Sequence, residues 1–184
     1  MGSISDWNAL FAEAYKVCRP GAWVESLEGS CFVESDHCDL PDTSALGQWS
    51  RFFVEGGKQL KRTFLVPEKE LQRKGMEAAG FIDIQETTFK VSSRTHSVRL
   101  PEAHIFVQRP LGTWPRDPVL KEMGTMAQLV LERDTEGYIL FVANLLGWSR
   151  EEVQVYIAHL RREIRSNRYY PYSRQTVVWG RKPE

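Results

Sequence analysis

The stretch Ala14-Tyr15-Lys16-Val17-Cys18-Arg19-Pro20-Gly21-Ala22-Trp23-Val24-Glu25-Ser26-Leu27-Glu28 constrains this chain more than any other. Pro20 lacks the amide that a helix interior needs, and Gly21 tolerates the left-handed conformation that follows a helix end. Trp23, Val24 and Leu27 then suit an extended, largely buried segment. A helix leading straight into a buried strand is the αβ step of a parallel-sheet protein.

On the near side of that step, residues 5–18 read as the first helix. Trp7, Leu10, Phe11, Ala14, Val17 and Cys18 share one apolar face, with Ser5, or Ser3 with Asp6 three residues on, as the N-cap. The strand follows at 22–28, and its carboxyl end is where open α/β sheets present ligand-binding groups. Glu25 and Glu28 lie there as substrate-side candidates. Three residues apart, they point to opposite faces of a regular strand, so they do not read as an acid–base pair.

The polar loop 29–43 carries Cys31, His37 and Cys38, three possible ligands where a structural zinc site uses four at tighter spacing, so no metal is expected. A second helix spans about Ser44 to Leu60, with Leu46, Trp49, Phe52 and Phe53 at helical spacing. The Gly56-Gly57 pair late in it reads as a weak spot and not as a phosphate or cofactor loop. Pro67 is expected to open a third helix that Gly80 closes, and 81–88 reads as a strand with Ile82 and Ile84 on one face.

Farther on, 117–131 shows Leu120, Met123, Met126, Ala127 and Val130 on one face, and 136–146 is apolar almost all round. Ser149 and Glu152 form a capping box for a helix to about Arg165, with Val153, Tyr156, Ile157, Leu160 and Ile164 inward. Its RREIRSNR end is read as positive charge complementing a helix C-terminus, with a phosphate contact as the alternative. Gln175 to Trp179 makes a last strand.

Charge and cysteine narrow the classes. Lys plus Arg and Asp plus Glu number 24 each, so no global field recruits nucleic acid or an acidic membrane. Three cysteines without a scaffold spacing fit a reducing compartment, and no apolar run approaches the roughly 20 residues of a membrane span. With no signal-peptide pattern at the N-terminus, a cytoplasmic or nuclear location is expected. No G-x-G-x-x-G loop follows a strand, and no serine sits in a nucleophile elbow. His159 reads as structural.

Six segments occur in order: Ser3-Ile4-Ser5-Asp6-Trp7, KVCRPGAWVESLE, GMEAAGFIDIQE, GTWPRDPVLKEMG, LGWSREEV and VVWGRKP. Together they resemble the C-terminal half of a fungal class I S-adenosylmethionine-dependent methyltransferase, of the group that includes regulators and tailoring enzymes of secondary metabolism. Ala22 stands where that family usually has a second glycine. The family's cofactor-binding half, with its glycine-rich loop and ribose-binding acidic residue, should precede Gly2. The resemblance implies a single partial Rossmann-like domain with strands at about 22–28, 81–88 and 175–180. Their spatial order should be first, third, second, with the last strand antiparallel. It also places the second helix, and hence Trp49, beside the substrate cleft.

The resemblance implies methyl transfer from S-adenosylmethionine to a small molecule or a protein, with no cofactor-binding residue, and so no cofactor, expected for this chain alone. The alternatives are a non-catalytic interaction module, or a truncated product whose other half is encoded upstream. Strand 22–28, interior in the family, should here be an uncovered edge that self-associates or needs a partner chain.

Residues 91–108, VSSRTHSVRLPEAHIFVQ, interrupt the resemblance. Removing them joins Phe89-Lys90 to Arg109-Pro110, close to how the family proceeds. Val91-Ser92 can be encoded by GTAAGT, Gln108 by CAG, and Ala103-His104 through CTCAC, so a translated, unspliced intron is expected, against a genuine surface insertion.

Overall fold

The computed structural model describes residues 4–89 and 108–184. Its elements are α1 (Trp7–Val17), β1 (Trp23–Gly29), α2 (Ala45–Leu60), α3 (Leu71–Ala79), β2 (Ile82–Phe89), β3 (Gln108–Pro110), α4 (Pro118–Leu145), α5 (Arg150–Ser166) and β4 (Tyr172–Arg181). The sheet order is β1-β4-β2, with β4 antiparallel to both neighbours, so the expected topology holds. Among the described residues β1 is an edge strand. The expected insertion at 91–108 falls outside the described residues, except for Gln108, which begins β3.

β3 was not legible as a strand. It pairs with β4 through Gln108↔Arg174, Arg109↔Ser173 and Pro110↔Tyr172. β2 ends on the pair Phe89↔Gln175, so β2 and β3 take consecutive positions of β4. They lie along the same edge of it. The opposite edge is occupied by Ser30, whose N–H donates to Arg174 O, and by Glu34, which exchanges two backbone bonds with Tyr172.

One face of this sheet is covered and the other is not. On the covered face Val24, Met76, Phe81, Ile84 and Val178 pack with Trp7 and Phe11. Gln72 of α3 is buried there, and its amide donates to Ser26 O (2.7 Å) and Ser26 Oγ (3.1 Å), tying the helix to β1. On the other face Trp23 and Leu27 are 52% and 58% exposed. The expectation that both are buried is therefore corrected: the strand alternates, and among the described residues no layer covers that side. Val17 is likewise exposed, leaving Trp7 and Phe11 as the buried anchors of α1.

Local rules explain most of the remaining differences. Asp6, not Ser5, caps α1, accepting from Ala9 N. At the other end Lys182 Nζ donates to Tyr15 O and Cys18 O, filling carbonyls that a helix end leaves open. α3 starts at Leu71 rather than Pro67 because Glu70 takes a left-handed φ of 55° and separates a Pro67–Glu70 turn from the helix. Asp83, at φ 52°, and a register shift between Ile82 and Gln85 break the β2 alternation. Ile84 therefore faces the core while Ile82 is exposed.

The second core lies between α2, α4 and α5, and includes Leu46, Phe52, Phe53, Ile139, Val142, Val153, Tyr156 and Ile157. All five inward residues expected of α5 are buried, and its capping box is formed. Gly56 is no weak spot: a Cβ there would lie 2.2 Å from Val142 Cγ1, so glycine lets α2 and α4 touch. The two helices expected at 117–131 and 136–146 run on as one, broken at Asp134 (φ −134°), whose carboxylate accepts from Gly137 N and caps the second half.

A candidate ligand cavity at the end of β1

The chain leaving β1 turns over a cavity of about 620 Å³. Ser30, Phe32 and Val33 form one side, α2 supplies Leu46, Trp49 and Phe53, and α5 closes the back with Leu160 and Ile164. The far wall is the first half of α4: Val119, Met123, Met126 and Val130 recur at helical spacing along it. From sequence this segment shows one apolar face, with Leu120 and Ala127 in it and Val119 outside it. That face borders the cavity, with Met126 and Val130 55% and 51% exposed. A void of this size, apolar-walled with a few polar groups, has the dimensions and chemistry of a small-molecule site.

The walls are held by specific bonds. The Glu163 carboxylate of α5 accepts from Ala45 N (3.0 Å) and Leu46 N (2.9 Å), two donors that the α2 N-terminus leaves open. Tyr156 Oη donates to Ala45 O at 2.8 Å beside them. α2, which carries Trp49 and Phe53, is thereby fixed to α5. On the other wall Gly112 N donates to Gly124 O, and a Cβ on Gly124 would sit 2.1 Å from Gly112 O. The LGTW turn is pinned in place by Asn167, which bonds Thr113 twice, and by Trp114 Nε1 donating to Pro171 O.

The floor holds the polar groups. Arg109 and Ser173 are direct cross-strand partners, so their side chains stand together on one face of the sheet, and both line the cavity. Ser173 is 3% exposed and its hydroxyl has no hydrogen-bond partner among the described residues. Ser30, by contrast, donates to Glu68 Oε1. Surrounding protein desolvates the Arg109 guanidinium and pulls its pKa below the ordinary arginine value, with Tyr138 opposing. Its accessible surface borders the apolar walls of the cavity.

The sequence candidates are dispersed. Trp49 lines the cavity, its ring 5.2 Å from Phe53 and 6.3 Å from Tyr138. Glu25 lies on the open sheet face with Trp23, Val177 and Trp179. Glu28 is half-buried on the other face, paired in register with Thr176. Among the described residues no group of three or more His, Cys, Asp or Glu is placed to hold a metal. Cys31 is buried in the second core, which pushes its thiol up to about 12, and the His37 ring lies 4.6 Å from that of Tyr170, tilted by 54°. In the arginine-rich end of α5, Arg165 donates to Glu132 of α4 at 2.6 Å and holds its carboxyl below the usual range. His159 is exposed. No described helix is long and apolar enough to cross a membrane.

Comparison with known proteins finds this chain similar to fungal methyltransferases and to regulators of secondary metabolism. It is 30% identical over 186 aligned residues to the methyltransferase pytC of Aspergillus terreus, covering 99% of this chain and 50% of that protein. It is 26% identical to the probable methyltransferase tdiE of Emericella nidulans, covering 97% and 50%. A secondary metabolism regulator of Cochliobolus heterostrophus is 26% identical, covering 100% and 54%. The chain thus spans about half the length of these relatives. No family model matches it. Among solved structures, phosphoethanolamine N-methyltransferase 2 of Haemonchus contortus aligns with 98% of this chain and 31% of its own, at 17% identity. The TM-score is 0.36, a likeness too loose to argue from.

Proposed function

Since the chain belongs to the fungal class I methyltransferase-like group, we propose that it is the acceptor-side half of an S-adenosylmethionine-dependent methyltransferase, its cavity receiving the methyl acceptor. The observation that carries this reading is the position of the cavity. It opens where β1 ends, outside the carboxyl end of a strand, where α/β sheets bind their ligands. Its aromatic wall comes from α2, the helix expected beside the substrate cleft.

Methyl transfer asks little covalent chemistry of the protein. The acceptor atom must be held in line with the departing sulfonium, within reacting distance and away from water. Apolar walls and a polar floor serve that role. The donor is held by elements beyond these 184 residues, because no glycine-rich loop follows a strand within them. The chain alone is therefore inactive and takes no S-adenosylmethionine.

Isothermal titration with S-adenosylmethionine is expected to show no micromolar binding by the chain alone. Co-expression with the N-terminal half of a relative such as pytC is expected to restore transfer of a labelled methyl group. Micromolar binding and turnover by the chain alone would refute the divided-site reading, and a folded but inert complex would refute the acceptor-side reading. A second reading, a non-catalytic interaction module, is favoured by one feature: the free β1 edge beside the exposed Trp23 and Leu27.

A further inference from the structure

The cavity floor is chemically specific, and the proposed function does not say what it recognises. Ser173, 3% exposed, lines the void, and its hydroxyl is itself buried with no hydrogen-bond partner among the described residues. A buried polar group without a partner is costly, and a turn about χ1 would bring this hydroxyl to a ligand in the void that satisfies it. Its cross-strand neighbour Arg109 brings a guanidinium to the same floor, and no carboxylate among the described residues pairs with it. Glu122, the acidic member of the lining, stands on α4 and is exposed. Across the void Trp49 and Phe53 present aromatic surface, and Met126 and Val130 apolar surface.

We infer that this cavity binds an aromatic compound bearing an anionic oxygen, a carboxylate or an acidic phenol, with the oxygen on Arg109 and Ser173 and the ring between Trp49 and the α4 stripe. Guanidinium and hydroxyl both donate, which matches an oxygen acceptor. The inference rests on the acceptor-site reading for its biological meaning, but its test does not depend on catalysis. If the anionic oxygen is the methyl acceptor, its lone pair forms the new O–CH3 bond while the S–CH3 bond of the sulfonium donor breaks, releasing a neutral thioether. Arg109 then holds the oxygen deprotonated beforehand.

The test uses the full chain and three probes of one shape: 2-naphthoate, 2-naphthylmethanol and 2-naphthylmethylammonium, measured by isothermal titration. The anion is expected to bind about tenfold or more tightly than the alcohol, the range of a charge-assisted hydrogen bond. Arg109→Gln should abolish that preference and leave alcohol binding unchanged. Ser173→Ala should weaken the anion several-fold, and Trp49→Ala should weaken all probes. Equal binding of anion and alcohol by the unaltered chain, or preference for the ammonium probe, overturns the inference without any variant. Anion binding with no methyl transfer in the reconstituted enzyme would refute the function and leave this site standing. Transfer without anion preference would do the reverse.

Discussion

Deleting residues 91–108 should stabilise the protein. The deletion joins Lys90 to Arg109, and β4 provides the register for the joint. Phe89 pairs with Gln175 and Gln108 with Arg174, so in the deletion variant Lys90 takes the place of Gln108 and Arg109 stays opposite Ser173. β2 and β3 become one strand with no slip and no change of face. The folded chain would then join the β2 and β3 positions on β4 without 18 intervening residues. Loop-closure entropy scales as (3/2)RT ln n, about 2.6 kcal/mol at this length. Allowing for imperfect geometry at the joint, the net gain is about 2 kcal/mol, or a rise in Tm of roughly 4–8 °C for a chain of this size. Urea and thermal unfolding followed by circular dichroism on both proteins measure it. A lower midpoint, or loss of sheet signal, would refute the reasoning, because it would mean that the block contributes contacts the sheet needs. The genetic counterpart is the mature transcript. We expect it to lack the block; a message that retains it, with codons lacking GT and AG at its ends, excludes the intron origin.

The other expectations are narrower. Gln72→Leu strips the buried bonds to Ser26 and should cost about 1–3 kcal/mol in urea unfolding, with Gln72→Glu no better. Glu163→Ala leaves two α2 amides without their acceptor and should cost about 1–2 kcal/mol, while loosening α2 enough to weaken binding in the cavity. Cys31 has its folded thiol pKa raised to about 12, so the folded state keeps a proton that the unfolded state releases near 9. Its contribution is complete below pH 9 and is lost as pH rises from there toward 12. Cys31→Val should flatten that decline in an alkaline stability series. At pH 8 Cys31 should resist iodoacetamide while the exposed Cys38 reacts, as mass spectrometry would show. Light scattering should find concentration-dependent association through β1, and a monodisperse monomer at high micromolar concentration would count against a free edge.

What could be read from sequence follows the range of the interactions. α5 was legible residue by residue, because its capping box and apolar spacing are local and the core obeys both. The strand order was legible only through the resemblance, since β4 meets β1 and β2 across most of the chain. The α4 stripe was legible as apolar, but a stripe against a void and a stripe against a core have the same periodicity. Trp23 and Leu27 misled for a related reason: large apolar side chains signal burial only if a layer covers them. Arg109 and Ser173 gave no local signal at all. They become a site through one rung of a three-residue strand, which no pattern within either segment encodes.

β4 also sets the order in which this protein can assemble. Every strand pairing named above runs through Tyr172–Arg181, and β1, β2 and β3 make none with one another. A ribosome that has delivered β1, β2 and β3 has delivered none of the described strand pairings, only helices and three segments awaiting a common template. Among the described elements the hinge of folding is thus β4, and the entropic cost of joining Trp23 to Arg181 is met only once that strand is made. Until then β1 lacks its partner β4 and stays within reach of any other strand that arrives first.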